Sequence, residues 1–226
     1  GTMLAEDLKP NRLEAAKEVA TKFIADRPDD NIGLVVFAGE SFTQCPLTTD
    51  HGVLINLLNA VKFGVIEDGT AIGLGLANAV NRIKDSQAKS KVIILLTDGS
   101  NNRGDIAPLT AAEIAKKFGI RVYTIAVGKH GMAPYPFQTP MGIQYQNVPV
   151  EIDEDVLQQI AKMTGGSFFR ATDNVTLSAI YGEIDQMEKT KLQVREYKKR
   201  NEEFFPYLLI AFLLLVVEIL IRNTLL

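Results

Sequence analysis

Apolar positions along this chain fall into two periods. Between residues 10 and 30, Leu13, Ala16, Ala20, Phe23 and Ile24 recur at helical spacing and predict one buried helix face. Asn11 opens that stretch as a cap, with Glu14 three residues on as in a capping box, and Arg27-Pro28-Asp29-Asp30 ends it. Residues 32–38 form an apolar run expected as a buried strand. Gly39-Glu40 then turns the chain into a short strand at 41–47, expected antiparallel at an edge. Helices are expected over 50–61, in the later part of 69–84, over 109–118 and 154–164, and from about residue 174. Residues 91–97 are the clearest strand, and their continuous apolarity predicts a place in the middle of a parallel sheet. Further strands are expected at 121–127 and 167–171. This alternation predicts an α/β fold: a doubly wound, mostly parallel open sheet with helices on both faces.

Two segments stand outside the alternation. Residues 129–152 exceed an ordinary connection, and alternating residues around Pro140-Met141-Gly142 suggest a small hairpin. Long loops are often binding surfaces, which makes Tyr135, Phe137 and Tyr145 candidate partner contacts; a purely structural excursion is the alternative. Residues 204–221 contain 16 apolar residues in 18. As a helix they would span about 27 Å, close to a hydrocarbon core of about 30 Å, and are expected to be a transmembrane helix. Pro206 falls in the first turn, Tyr207 at the near interface and Glu218 near the far end. A buried core helix is the alternative, but the charged stretch 195–203 separates the run from the domain. The expected organisation is a domain over 1–187, a charged linker or helix extension over 188–203, the membrane helix over 204–221 and a tail over 222–226. Lys189, Lys191, Arg195, Lys198, Lys199 and Arg200 precede the span and only Arg222 follows it, a bias that favours a cytoplasmic domain.

Composition narrows the chemistry. With 226 residues, the chain suits one α/β domain plus an appendage. A net charge of −3 gives no electrostatic case for nucleic acid. Cys45 is the only cysteine, so no intrachain disulfide can form, and it is read as a quiet strand residue. His51 and His130 have no zinc-spaced companions. His130 forms no credible triad with Asp155 or Ser167, since there is no nucleophile elbow. The glycines of Gly73-Leu74-Gly75-Leu76 do not complete a dinucleotide fingerprint and are read as small residues packing on the sheet.

Three oxygen-bearing residues are expected at the carboxyl ends of strands: Thr2, Thr70 and Asp98. Hydroxyls and a carboxylate from separate loops suit a hard cation such as Mg²⁺. Taken singly, Asp98 could be a turn residue and Thr70 a helix N-cap, while Asp68 and Ser100 read as loop residues. The ordered set resembles the metal-ion-dependent adhesion site of von Willebrand factor A domains. That site has Asp-x-Ser-x-Ser/Thr after the first strand, a later loop Thr and an Asp after the fourth strand. Thr97-Asp98-Gly99 matches the third part, Gly69-Thr70-Ala71-Ile72-Gly73 the second, and Gly1-Thr2-Met3 the tail of the first. The chain is similar above all to the bacterial aerotolerance (Bat) subgroup, through residues 4–12, Gly131-Met132-Ala133-Pro134-Tyr135-Pro136 and the apolar C-terminal run.

The resemblance implies a non-enzymatic protein-recognition module in a bacterial inner membrane. It implies Mg²⁺, or Mn²⁺ or Ca²⁺, at Thr2, Thr70 and Asp98, and a partner carboxylate that completes the cation's shell. Sister Bat proteins and a MoxR-type AAA+ ATPase are the implied partners. The Asp and first Ser of the first motif would precede Gly1, so the chain as given is expected to be a truncated domain that lacks its central strand and binds metal poorly. Two other functions stay open: a metal-independent membrane scaffold using 129–152, and a metal-assisted hydrolase, for which no general base is visible.

Overall fold

Among the described residues the driest element is β4 (Arg121–Val127), in which every residue but the first is buried. It pairs in parallel with β3 (Val92–Thr97) on one side and β7 (Phe168–Ala171) on the other. The computed structural model describes residues 1–140, 142–200, 207–210, 212–215 and 218–219. Against this three-stranded sheet pack α3 (Ile72–Ile83), α4 (Pro108–Lys117) and α5 (Glu154–Thr164). Their shared core joins Ile72, Leu76 and Val80 to Leu95, Val122, Ala126, Leu157 and Ile160. Ala111, Ala112 and Ala115 are fully buried and let α4 lie close to both α3 and α5. Gly165, at φ 76°, stops α5 where the sequence predicts.

The second sheet is the antiparallel pair β1 (Ile32–Phe37) and β2 (Ser41–Thr48). With α1 (Arg12–Ala25) and α2 (His51–Asn59) it encloses Ile24, Cys45, Leu54 and Leu58. Cys45 is buried there as a strand residue, as expected. Two expectations about strand order need correcting. Residues 91–97 stand at the edge of their sheet, and β4 holds the middle. Residues 32–38 were expected as a strand of the parallel sheet, but among the described residues the strand there, β1, has the antiparallel β2 as its one strand partner. Both β1 and β3 pack on α3, and no hydrogen-bond ladder joins them. A continuous apolar run says nothing of whether a second strand lies alongside, and both β1 and β3 are mostly half-buried.

α1 begins where its cap predicts: the Asn11 side chain accepts from the Glu14 N–H at 2.9 Å. Its buried face is rotated from the expected one. Arg12, Ala15, Lys17, Val19 and Ile24 are buried, whereas Leu13, Ala16, Ala20 and Phe23 are half-buried. Helical periodicity counts apolar side chains and cannot anticipate an arginine turned inward. The long segment after β4 forms a hairpin of β5 (Met132–Thr139) and β6 (Gly142–Pro149), longer than the alternating residues suggest.

The chain divides into two units, Gly1–Ile184 and Asp185–Leu226. The long helix α6 (Asn174–Arg200) starts in the first, capped by Asp173, whose carboxylate accepts from the Thr176 N–H at 2.8 Å. In the second unit, residues 207–210, 212–215 and 218–219 are helical and exposed. No helix among the described residues is long and apolar enough to cross a membrane. Of the expected span 204–221, positions 204–206, 211, 216–217 and 220–221 lie outside the described residues. So do 201–203 of the expected linker and the tail 222–226.

The small residues at the start of α3 pack as expected. A Cβ at Gly73 would overlap the Ile106 carbonyl, and one at Gly75 would stand 2.8 Å from the Phe37 ring. Gly73→Ala therefore pushes α3 off the segment that follows β3. It should cost about 1–3 kcal/mol, read as a lower urea midpoint. An unchanged midpoint would contradict this packing.

Candidate functional site

β3 ends at Thr97 and delivers Asp98 into a place where it is only 6% exposed. Its carboxylate is held from two sides. Thr2, in the short turn Thr2–Leu4, donates its Oγ1 hydrogen to Asp98 Oδ1 at 2.9 Å. Arg12 Nη1 donates to Asp98 Oδ2 at 3.1 Å. The third expected residue arrives on the loop before α3. The Thr70 N–H donates to Asn102 Oδ1 at 2.8 Å, and the Thr70 carbonyl accepts from the Asn102 N–H at 3.0 Å. Its hydroxyl lies against the residue after Asp98: a Cβ on Gly99 would stand 3.0 Å from Thr70 Oγ1. Three separate segments thus bring Thr2, Thr70 and Asp98 to the carboxyl end of one strand.

The alternative role weighed for Thr70, capping α3, falls elsewhere. The N-cap of α3 is Ala71, with no side-chain cap bond, and Asn101 Oδ1 accepts from the Gly73 N–H at 3.3 Å. Asp68 is 77% exposed, as a solvated loop residue should be. Ser100 also behaves as a loop residue, donating its hydroxyl to the Glu151 carbonyl at 3.1 Å. His130 is exposed, with Nδ1 3.9 Å from Glu154, which supplies neither nucleophile nor triad.

Beneath the site lies a charge network that sequence reasoning did not identify. Arg12 is 1% exposed. Its Nε and Nη2 donate to the two oxygens of Asp7 at 2.8 and 2.6 Å. Asp7 Oδ2 also accepts from the Lys129 N–H at 2.9 Å. Burial opposes the charge of all three groups. For Arg12 the bonds to Asp7 and Asp98 outweigh burial and hold the guanidinium above its ordinary range. For Asp7 burial is outweighed by Arg12 and the Lys129 N–H, and its carboxyl falls below the usual range. For Asp98 burial wins against Arg12 and Thr2, and its carboxyl is pushed up. Among the described residues no buried side-chain nitrogen or oxygen lacks a hydrogen-bond partner. Asp7 and Arg12 stand in the segment that carries the family resemblance, but charged residues five apart ordinarily read as solvated. Asn101 and Asn102 likewise read as loop residues until they are seen to clamp the Thr70 loop.

The candidate donors are oxygens alone, two hydroxyls and one carboxylate, a set that suits a hard divalent cation. Among the described residues no group of three or more His, Cys, Asp or Glu side chains converges. A cation here would therefore draw on few negative charges from the chain, with Arg12 offsetting part of them.

The three aromatic candidates sit on the adjacent hairpin. Tyr135 and Phe137 pack with ring centroids 4.8 Å apart. The Tyr145 hydroxyl donates to Glu6 Oε1 at 2.9 Å, and the Glu6 N–H donates to the Pro134 carbonyl at 2.9 Å. The hairpin is thereby tied to the segment just after Thr2. Burial raises the Tyr135 hydroxyl's pKa, and the nearby charge of Asp68 adds to the shift. Met132, Ile143 and Tyr145 are more than half exposed, so the hairpin presents an apolar surface beside the site.

The model of the von Willebrand factor type A domain matches residues 1–183. The chain belongs to this family. An aerotolerance-related membrane protein from Bacteroides fragilis is 30% identical in a structural match covering 82% of this chain and 92% of that one, with a TM-score of 0.71. BatB from Bacteroides thetaiotaomicron is 31% identical over 83% and 94% of the two chains, at a TM-score of 0.69. Among curated relatives, an uncharacterised protein from Borreliella burgdorferi is 30% identical over 92% of this chain and 61% of its own length. A UPF0353 protein from Mycolicibacterium paratuberculosis is 29% identical over 81% and 57%. The chain thus spans about three-fifths of the curated relatives it matches. A mussel byssus matrix protein described with a zinc-occupied MIDAS motif is 23% identical at a TM-score of 0.61, a likeness of fold.

Proposed function

We propose that this von Willebrand factor type A chain is a membrane-anchored protein-recognition module. On this reading, Thr2 and Thr70 contribute hydroxyl oxygens and Asp98 a carboxylate to one divalent cation, Mg²⁺ or a similar hard ion. A carboxylate from the partner completes the shell. The observation that carries the reading is the meeting of three segments: Thr2 Oγ1 is 2.9 Å from Asp98 Oδ1, and the Thr70 hydroxyl lies against Gly99. When bound, the cation would supply a charge that an acidic partner group can meet; the chain's own residues would hold that charge in place. The aromatic hairpin with Tyr135, Phe137 and Tyr145 flanks the contact. Sister Bat proteins and a MoxR-type AAA+ ATPase are the partners proposed, on the strength of the likeness to aerotolerance-related proteins.

A second reading is a metal-independent scaffold that binds through the hairpin, favoured by the exposure of Met132, Ile143 and Tyr145. A metal-assisted hydrolase is less well supported, because the sequence offers no motif that marks a general base for it. Anchorage through 204–221 in a bacterial inner membrane, with the domain on the cytoplasmic side, rests on the apolar run and the basic residues before it. The B. fragilis neighbour is described as a membrane protein.

Two experiments test this. In the full-length protein, Asp98→Ala should weaken Mg²⁺-dependent capture of a partner at least about tenfold, or about 1.4 kcal/mol, and EDTA should weaken the wild type similarly. Wild-type binding indifferent to EDTA, with Asp98→Ala equal to it, would remove the metal mechanism and favour the hairpin. Deleting 204–226 should move the protein from carbonate-washed membranes to the soluble fraction. A truncated protein that still pellets with those membranes would refute the anchor.

A further inference from the structure

We infer that Arg12, tied to Asp7, is a positioning residue that fixes the Asp98 carboxylate for the cation; the inference rests on the proposed metal site. A guanidinium with 1% exposure has no water to satisfy it, so its partners must come from the chain. Asp7 takes two of its nitrogens in a bidentate fork, at 2.8 and 2.6 Å. That fork alone would pair the charge. The remaining Nη1 reaches past it to Asp98 Oδ2 at 3.1 Å.

The consequence is a division of labour between the two oxygens of Asp98. Oδ2 is held inward by Arg12, and Oδ1 is the oxygen turned to Thr2. A carboxylate fastened by one oxygen cannot rotate freely, so the other stays directed at the Thr2 hydroxyl. Asp7 is in turn fastened by the Lys129 N–H, which anchors the fork to the chain after β4. The backbone makes room for the arginine at Gly128, where φ is 125° and a Cβ would stand 2.6 Å from Arg12 Cζ. A lysine could pair with Asp7 but has no planar fork to hold both carboxylates at once.

The test is Mn²⁺ binding to the full-length protein, read by electron paramagnetic resonance alongside thermal unfolding. Wild type should bind Mn²⁺, and Asp98→Ala should lose it. Arg12→Lys should fold cooperatively, bind Mn²⁺ about tenfold more weakly and give a broader bound-ion spectrum. Leu157→Ala, a core truncation remote in role, should lose stability and keep the wild-type Mn²⁺ affinity, which separates positioning from stability. If Arg12→Lys does not fold, Asp7→Asn takes its place, since it releases the fork and leaves the guanidinium; it should weaken Mn²⁺ likewise. A folded Arg12→Lys or Asp7→Asn with wild-type Mn²⁺ affinity and spectrum would overturn the positioning role and leave the metal site standing. A wild type that binds no Mn²⁺ would overturn both.

Discussion

Asp98 places a carboxylate in a site that water scarcely reaches, at the end of a strand whose neighbour is the driest element of the fold. A buried carboxylate is tolerable only with partners, and removing one partner from a buried charge pair typically costs about 3–5 kcal/mol. Here the partners come from far apart in sequence. Thr2 lies 96 residues upstream and Arg12 86 residues upstream. Satisfying this one group therefore sets the start of the chain and the first turn of α1 against the end of β3. It also accounts for the rotation of α1, whose buried positions begin with an arginine where an apolar stripe was expected.

The same network extends toward the hairpin. Asp7 is bonded by Arg12 and by the Lys129 N–H, and Glu6 is bonded by Tyr145 and to Pro134. The segment 2–12 is thus a strap between the candidate cation site and the exposed aromatic surface. A partner that touched the hairpin and offered a carboxylate to a cation would engage two surfaces held in one frame. This is the physical content of calling the chain a recognition module.

Much of the fold was legible in the sequence, for reasons that can be named. Asn11 caps a helix by local chemistry, and Gly165 ends one by its positive φ. The parallel trio β3, β4 and β7 follows from apolar runs alternating with helices. Which strand stands in the middle was not legible, because an apolar run does not say which strands lie alongside it; β3, at the edge, is half-buried at four of its six positions, whereas β4 is buried at all but its first. Thr2, Thr70 and Asp98 were singled out through their residue types and an order that resembles the family's site. Arg12, Asp7, Asn101 and Asn102 were not, because their roles are set by contacts across 5 to 122 residues that no local pattern records.

The central claim is that three residues from three segments hold one cation. Anomalous scattering from crystals of the full-length protein grown with Mn²⁺ tests it most directly. The account predicts a single strong peak at the carboxyl end of β3, within about 2–2.5 Å of the Thr2 and Thr70 hydroxyl oxygens and bonded to Asp98 directly or through one water. Ordered, well-resolved Thr2, Thr70 and Asp98 side chains with no peak between them, at a Mn²⁺ concentration that supports partner binding, would contradict it.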